Sequence, residues 1–182
     1  MRQDLIQGAR RGDREAFGQL AALEIDRLHA LARLILRDPH LAEDAVQEAL
    51  IRCWRQLPRL RDVEHFDGWL YRILVRAAAD QAAHRRRFTG NVQNLRLEPQ
   101  VPDDIRGVAD REELERAFQH LTLEHRAVVV LHHYADLPLS QVAVILGIKL
   151  GTAKSRYHYA MASLRASLEA GARLTVPEVV LS

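Results

Sequence analysis

A cluster of basic and hydroxyl-bearing residues follows a glycine in the stretch LSQVAVILGIKLGTAKSRYHYAMASLR, residues 139–165. Gly147 separates two apolar patterns of helical period, and the second pattern begins near Gly151. Such a pair is typical of a helix-turn-helix, whose second helix enters the major groove of DNA. Basic side chains there bind phosphate, while short hydroxyl side chains let the backbone approach the duplex. The candidate DNA contacts are Lys149, Thr152, Lys154, Ser155, Arg156, His158 and Tyr159. An ordinary helical hairpin with a solvated face is the alternative interpretation.

A second basic patch lies in residues 72–87, which hold five arginines against Asp80 as the only acid. Apolar residues of helical spacing, from Phe66 and Trp69 onward, form one stripe, and polar residues recur every four positions on another face. Two basic patches separated by an acidic stretch suit two contacts with a polyanion. The polar residues of this patch are Arg72, Arg76, Asp80, His84, Arg85, Arg86 and Arg87.

A third candidate surface is the polar face of the helical pattern from Leu41 to Leu57. This face carries Asp44, Gln47, Glu48, Ile51 and Arg55. An acidic and amide-rich face suits an arginine-bearing partner helix. The alternative is that the acidic residues only complement the positive end of their own helix.

The elements that must position these surfaces are all predicted to be helices. Leu, Ala and Arg dominate the composition, which favours helices over strands. Asp13, Asp38, Thr122 and Ser140 are expected to cap helix starts, since each can accept hydrogen bonds from the first backbone N–H groups. Gly147 is expected to take the left-handed conformation that ends a helix.

The predicted fold class is all-α, with two small helical domains joined by a flexible linker, the C-terminal one with a helix-turn-helix. Residues 88–110 contain Pro99 and Pro102, break every helical period, and are predicted to be the linker. The domains are therefore expected at residues 1–87 and 111–170, followed by a short tail at residues 171–182.

Composition narrows the class of protein further. The chain has 182 residues, a net charge of +2 and a single cysteine, Cys53, so an internal disulfide is impossible. We find no signal peptide and no apolar run long enough to span a membrane, and we expect a cytoplasmic protein without membrane insertion. The nine histidines show no zinc-site spacing with acidic or cysteine partners. We therefore predict no catalytic residues, no metal and no cofactor, and classify the protein as not an enzyme.

Several motifs follow one another in a fixed order: HLAEDAVQEALIRCW, HFDGWLYRI, a basic run, a linker and LTLEHRAVVVLHHYADLPLSQVAVILGIKLGTAKSR. In this order they resemble a bacterial RNA polymerase sigma factor of the extracytoplasmic-function (ECF) group. The resemblance covers roughly residues 5–168. It implies partners: core RNA polymerase, through its β′ clamp helices and β flap, promoter DNA, and an anti-sigma protein.

The resemblance also assigns the three surfaces. The face of Asp44, Gln47, Glu48, Ile51 and Arg55 corresponds to the site that docks on the β′ clamp helices. The patch from Arg72 to Arg87 corresponds to the segment that opens and reads the minus-ten element. The helix-turn-helix corresponds to the reader of the minus-thirty-five element.

This sequence departs from the family pattern at four positions. Arg76 stands where asparagine is common, Tyr159 and Met161 where arginine is common, and Gln141 where glutamate is common. The fold and docking are expected to persist, with weaker phosphate attraction or an unusual promoter sequence. Losing two phosphate contacts would flatten the salt dependence of binding by about two units.

Two other classes of function compete with this interpretation. One is a stand-alone helix-turn-helix regulator whose N-terminal half senses a ligand or dimerises, which would leave residues 44–55 and 84–87 unexplained. The other is an enzyme or metalloprotein that uses the histidines.

Overall fold

The computed structural model describes residues 1–89 and 116–174, and all regular structure in these ranges is helical. The main helices, numbered in chain order, are α1 Arg2–Arg10, α2 Arg14–Leu36, α3 Pro39–Gln56, α4 Phe66–Thr89, α5 Leu123–His133, α6 Leu139–Leu146 and α7 Leu150–Leu174. Two 3-10 turns, Leu57–Arg59 and Val63–His65, connect α3 to α4. The all-helical fold class is confirmed for the part of the chain that the structure describes.

The ends of α4 and α7 pass beyond the predicted domain boundaries. α4 continues for two residues into the predicted linker, and α7 continues through residues 171–174 of the predicted tail. The rest of the linker at residues 90–110 and of the tail at residues 175–182 lies outside the described residues.

Most of the helix caps predicted from the sequence are present in the structure. The carboxylate of Asp13 accepts hydrogen bonds from Glu15 N and Ala16 N, and Asp38 caps α3 in the same way. Thr122 caps α5, and Gly147 has φ +67° at the end of α6. The prediction for Ser140 is wrong, because α6 begins at Leu139 and its N-cap is Pro138, which makes no side-chain hydrogen bond.

Helices α1 to α4 form the N-terminal bundle around a core that contains Leu28, Leu31 and Ile35 of α2. Not every leucine of α2 lies in this core, because Leu23 and Leu34 are 55% and 39% exposed. The helix carries leucine on more than one face, and only one face can pack against α3 and α4.

A buried carboxylate ties three of these helices together. Glu24 of α2 is 4% exposed and accepts hydrogen bonds from Arg2 Nε at 2.8 Å and from an Arg27 Nη at 2.5 Å. Asp67 of α4 accepts a hydrogen bond from Arg27 at 2.9 Å and pairs with Arg2 as well. The two arginines therefore hold α1 and α4 against α2, because a buried carboxylate must keep its hydrogen-bonding partners.

The two helical domains pack against each other and share one apolar core. The second domain contributes residues of α5 and α6 to that core: Ala127, Val128, Val130, Leu131, Val142 and Ile145. A smaller cluster belongs to the second domain alone: Ala117, Leu121, Val129, Ala160 and Leu164. Helices α5, α6 and α7 bury only part of their apolar surface against one another, and α2 and α4 cover the rest of it.

Candidate nucleic-acid interface

The polar face of α3 is presented to solvent as predicted. Asp44, Gln47, Ile51 and Arg55 are exposed, and they follow one line along the helix. No acidic residue lies in the first turn of α3, which begins at Pro39. Since the effect of the helix dipole falls off within that turn, these acids do not serve mainly to complement their own helix.

Glu48 belongs to a different network from the rest of that face. Its carboxylate accepts a hydrogen bond from Arg52 Nε at 2.7 Å, and Arg52 also donates to Asp80 of α4 at 2.8 Å. Both pairs are partly exposed, so each contributes modestly to stability. Arg52 was missed by the sequence analysis, although its position four residues after Glu48 is the signal for such a pair.

An open groove of about 350 Å³ runs between α3 and α4. It is lined by residues from both predicted surfaces and by their neighbours: Glu48, Arg52, Arg55, Gln56, Ile73 and Arg76. The structure therefore brings the predicted polymerase-docking face and the predicted minus-ten patch side by side.

The minus-ten patch on α4 divides into two groups. Arg76, His84, Arg86 and Arg87 are exposed, and the ring of His84 lies 4.5 Å from that of Phe88. Phe88 is 78% exposed and belongs to α4, although the linker was predicted to begin at this residue. Its aromatic type inside a basic run was the available signal, because bases stack on exposed aromatic rings.

The other members of the patch are engaged within the protein. Asp80 is paired with Arg52, as described above. Arg85 forms an ion pair with Asp38, the buried cap of α3. Arg72 is half-buried and donates a hydrogen bond to the carbonyl of Val144 in α6 at 3.1 Å. Arg72, Asp80 and Arg85 therefore have partners in other parts of the fold, whereas, among the described residues, Arg86 donates only to the carbonyl of Ala82 within α4 at 3.3 Å.

Phe66 and Trp69 pack as expected from their apolar stripe. Phe66 is 1% exposed, and its ring centroid lies 5.9 Å from that of Trp69, which is half-buried. The guanidinium of Arg2 lies over the Phe66 ring at 5.6 Å. The Phe66 ring is therefore part of the core and is not exposed for stacking on a base.

The helix-turn-helix consists of α6, the turn at Gly147 and the first half of α7. Its outward face contains Lys149, Lys154, Ser155, His158 and Tyr159, while Thr152 and Arg156 are half-buried at its edge. Ala160 and Leu164 are buried on the opposite face. Five of the seven predicted contacts are therefore exposed in this structure.

Two residues of α5 adjoin this surface and were missed by the sequence analysis. The ring of His125 stacks on that of Tyr159 at 4.8 Å. The pKa of Glu124 is lowered, first by a hydrogen bond from its own backbone N–H and further by Thr122 and the charges of Arg156 and Arg86. Nothing in the local pattern of α5 indicated contacts with residues more than thirty positions away.

Two further histidines make contacts within the protein. His132 Nδ1 lies 2.7 Å from the carbonyl of Leu137, and His133 Nε2 lies 3.1 Å from the hydroxyl of Tyr157. Within residues 1–89 and 116–174 there is no group of three or more metal-ligating side chains that could hold an ion. In the same ranges no helix is both long enough and apolar enough to cross a membrane.

Two parts of the chain match known domain families. Residues 20–88 match Sigma-70 region 2, and residues 117–166 match Sigma-70, region 4. The ECF RNA polymerase sigma factor SigL of Mycobacterium tuberculosis is 34% identical over 157 residues, covering 82% of this chain and 89% of SigL.

Two solved structures resemble the whole described fold. RpoE of Bartonella quintana, solved with the anti-sigma factor NepR, has a TM-score of 0.70 and 25% identity, covering 84% of this chain and 96% of RpoE. CnrH, solved with the cytosolic domain of CnrY, has a TM-score of 0.67 and 27% identity, covering 92% of this chain and 97% of CnrH.

The fold and the two domain matches define a sigma factor, a protein that recognises promoters in transcription initiation. Within that class, the chain belongs to the ECF family of RNA polymerase sigma factors. The region 2 match includes residues 44–55 and 84–87, which the alternative of a stand-alone regulator left unexplained.

Proposed function

We propose that this sigma factor docks on core RNA polymerase through the exposed line of α3 formed by Asp44, Gln47, Ile51 and Arg55. The observation that supports this most directly is an isoleucine, 39% exposed, in the middle of an otherwise polar face. An apolar side chain ringed by charged and amide groups is a common arrangement at protein interfaces. The acidic and amide groups suit the basic side chains of a clamp helix.

Promoter contacts are proposed for two further surfaces. The exposed cations of α4 hold the backbone of the melted minus-ten strand, with Phe88 as a surface on which a base can stack. The outward face of the helix-turn-helix enters the major groove at the minus-thirty-five element. The protein acts by binding and carries out no covalent step, so binding free energy drives strand opening.

Its solved relatives RpoE and CnrH were each determined with a protein partner, and the partner of RpoE is the anti-sigma factor NepR. By similarity, an anti-sigma protein is proposed for this chain. Since its principal partner is the polymerase, its place of action is proposed to be the cytoplasm.

Run-off transcription with purified core enzyme tests the proposal. Wild-type protein should yield promoter-dependent products from a promoter library, and the variant Asp44→Lys should yield far less. Glu43→Lys is the matched control, because Glu43 is also exposed but points about 100° away around α3. Equal activity of the two variants would refute docking through this face, and no product from wild type would refute the function itself.

A further inference from the structure

Two tyrosines that stand two positions apart on α7 have different surroundings. Tyr157 is half-buried; its hydroxyl lies 3.1 Å from His133 Nε2, and the ring of His132 meets its ring edge-on at 5.0 Å. Tyr159 is 60% exposed, and its ring stacks on that of His125 of α5 at a centroid distance of 4.8 Å and an interplanar angle of 27°. Among the described residues, the Tyr159 hydroxyl has no hydrogen-bonding partner. Packing of the domain therefore uses Tyr157, whereas Tyr159 presents a ring edge and a hydroxyl to solvent.

One line along the outward face of α7 leads to Tyr159. Gly151, Ser155 and Tyr159 are four residues apart in turn and all exposed, so they lie one above another on a single face. Gly151 has no side chain, and the short hydroxyl of Ser155 donates to the carbonyl of Thr152 at 3.0 Å, within its own helix. A duplex can approach the helix backbone closely at those two positions. Tyr159 is then the first large side chain on this line to meet the edge of a base.

The ring of His125 is held in one orientation by the cap of its own helix. Thr122 caps α5; its Oγ1 accepts a hydrogen bond from the backbone N–H of His125 at 3.4 Å and lies 2.9 Å from His125 Nδ1. With the imidazole fixed in this way, stacking restrains the ring of Tyr159 as well, because aromatic pairs favour an offset arrangement. A side chain that is already ordered loses less conformational freedom when DNA binds. His125 therefore preorganises Tyr159 from a helix outside the helix-turn-helix.

Base edges in the major groove offer a tyrosine ring one apolar group, the C5-methyl group of thymine. The faces of the bases are covered by their stacked neighbours in a duplex, so an aromatic side chain in the groove contacts only their edges. An arginine, which is common at this position in the family, would instead donate to O6 and N7 of guanine. Tyrosine carries no charge and has a mostly apolar ring, so its chemistry favours thymine over guanine.

We propose that His125 and Tyr159 act as one stacked unit, in which His125 positions the Tyr159 ring against the methyl group of a thymine in the minus-thirty-five element. The inference rests on the proposed function and adds to it the base that this position selects. His125 is a positioning residue, because it acts on the DNA contact through Tyr159.

Transcription from a promoter library would identify the base. Full-length protein with core polymerase transcribes templates in which a transcribed barcode identifies each randomised minus-thirty-five element. Wild-type protein should prefer thymine at one position by at least about fivefold over the other bases. Tyr159→Phe should keep this preference, whereas Tyr159→Ala should lose it there and keep the preferences at other positions. Since Tyr159 is exposed, both variants should fold as the wild type does, and a thymine preference that Tyr159→Ala leaves intact would overturn the inference.

Replacing that thymine by deoxyuracil removes only the methyl group and measures the contact directly. Wild-type holoenzyme should bind the deoxyuracil promoter about fourfold more weakly, as expected for one buried methyl group. His125→Ala should reduce this ratio to about twofold or less, while His125→Phe, which keeps an aromatic ring, should retain it. His133→Ala is the matched control, because it removes a histidine of the same helix whose partner is Tyr157, and its ratio should stay near that of the wild type.

The ratio of the two affinities separates positioning from a purely structural role of His125. In a structural role, His125→Ala would weaken binding to both promoters by the same factor and leave the wild-type ratio unchanged, which would overturn the inference and leave the proposed function standing. A wild-type ratio near one at every thymine of the element would do the same. In the Tyr159→Ala background the ratio should be near one with or without His125→Ala, because the two rings act as one unit. A holoenzyme that selects no minus-thirty-five sequence at all would overturn both the inference and the proposed function.

Discussion

Truncating Ile51 to alanine should weaken binding to core polymerase by a predictable amount. Fully burying an isoleucine side chain is worth about 2.5 kcal/mol. Since 39% of Ile51 is exposed in this structure, covering it adds about 1 kcal/mol, or a factor of about five in Kd. Fluorescence anisotropy of labelled sigma factor titrated with core enzyme would measure this change.

Leu23→Ala is the matched control for that measurement. Leu23 is 55% exposed on α2, so its truncation removes at least as much exposed apolar surface from a face with no proposed partner. Both variants should keep the thermal stability of the wild type, because neither side chain is in the core. A Kd change that is the same for the two variants, or absent for Ile51→Ala, would refute docking through α3.

Three further predictions concern an ion pair, a buried thiol and a DNA contact. Burial opposes ionisation of Asp67, but hydrogen bonds and charges from Arg2 and Arg27 outweigh burial and lower the pKa of Asp67 below 3.8. The ionised carboxylate therefore stabilises the fold above pH 3.8, and this stabilisation is lost as pH falls through the folded-state pKa. After discounting for an exposed fraction of 43%, Asp67→Asn should cost about 1 kcal/mol at pH 7 in urea titrations. The difference should shrink as pH falls below the usual pKa of an aspartate and through the lower folded-state pKa, and a constant difference would contradict this. Burial raises the pKa of Cys53 to about 12, so alkylation of the native protein at pH 8 should be no faster than unfolding. Rapid labelling of the folded state would contradict the packing around Cys53. Tyr159→Arg should add a phosphate contact and steepen the salt dependence of binding to a minus-thirty-five duplex by about one unit. Fluorescence anisotropy from about 50 to 200 mM salt would measure this slope. An unchanged slope would place residue 159 away from the DNA backbone.

Much of the site was predictable because its signals are local. The exposed line on α3 and the outward face of α7 follow from helical periodicity alone, which fixes the angle of each side chain around its axis. Their solvent exposure agrees with the sequence analysis at Asp44, Gln47, Lys154 and His158. That these faces bind polymerase and DNA stays a prediction.

Other parts were not predictable, since they depend on contacts between distant residues. Arg72 and Arg85 have the same residue type and the same basic surroundings as Arg86 and Arg87. The structure nevertheless pairs Arg72 with Val144 and Arg85 with Asp38, while Arg86 and Arg87 are exposed. No helical period distinguishes an arginine that will meet another helix from one that will face solvent.

By itself, the sequence determined the helices, most of their caps and the presence of two basic segments. Asp13, Asp38 and Gly147 act on backbone groups within four residues of themselves, so their effects are already decided in the local chain. Only the tertiary structure decided that α5 and α6 share the core of the N-terminal bundle and that Arg126 caps α2. Apolar burial is not directional, and which of several apolar faces meet is settled by the shape and charge of the whole molecule.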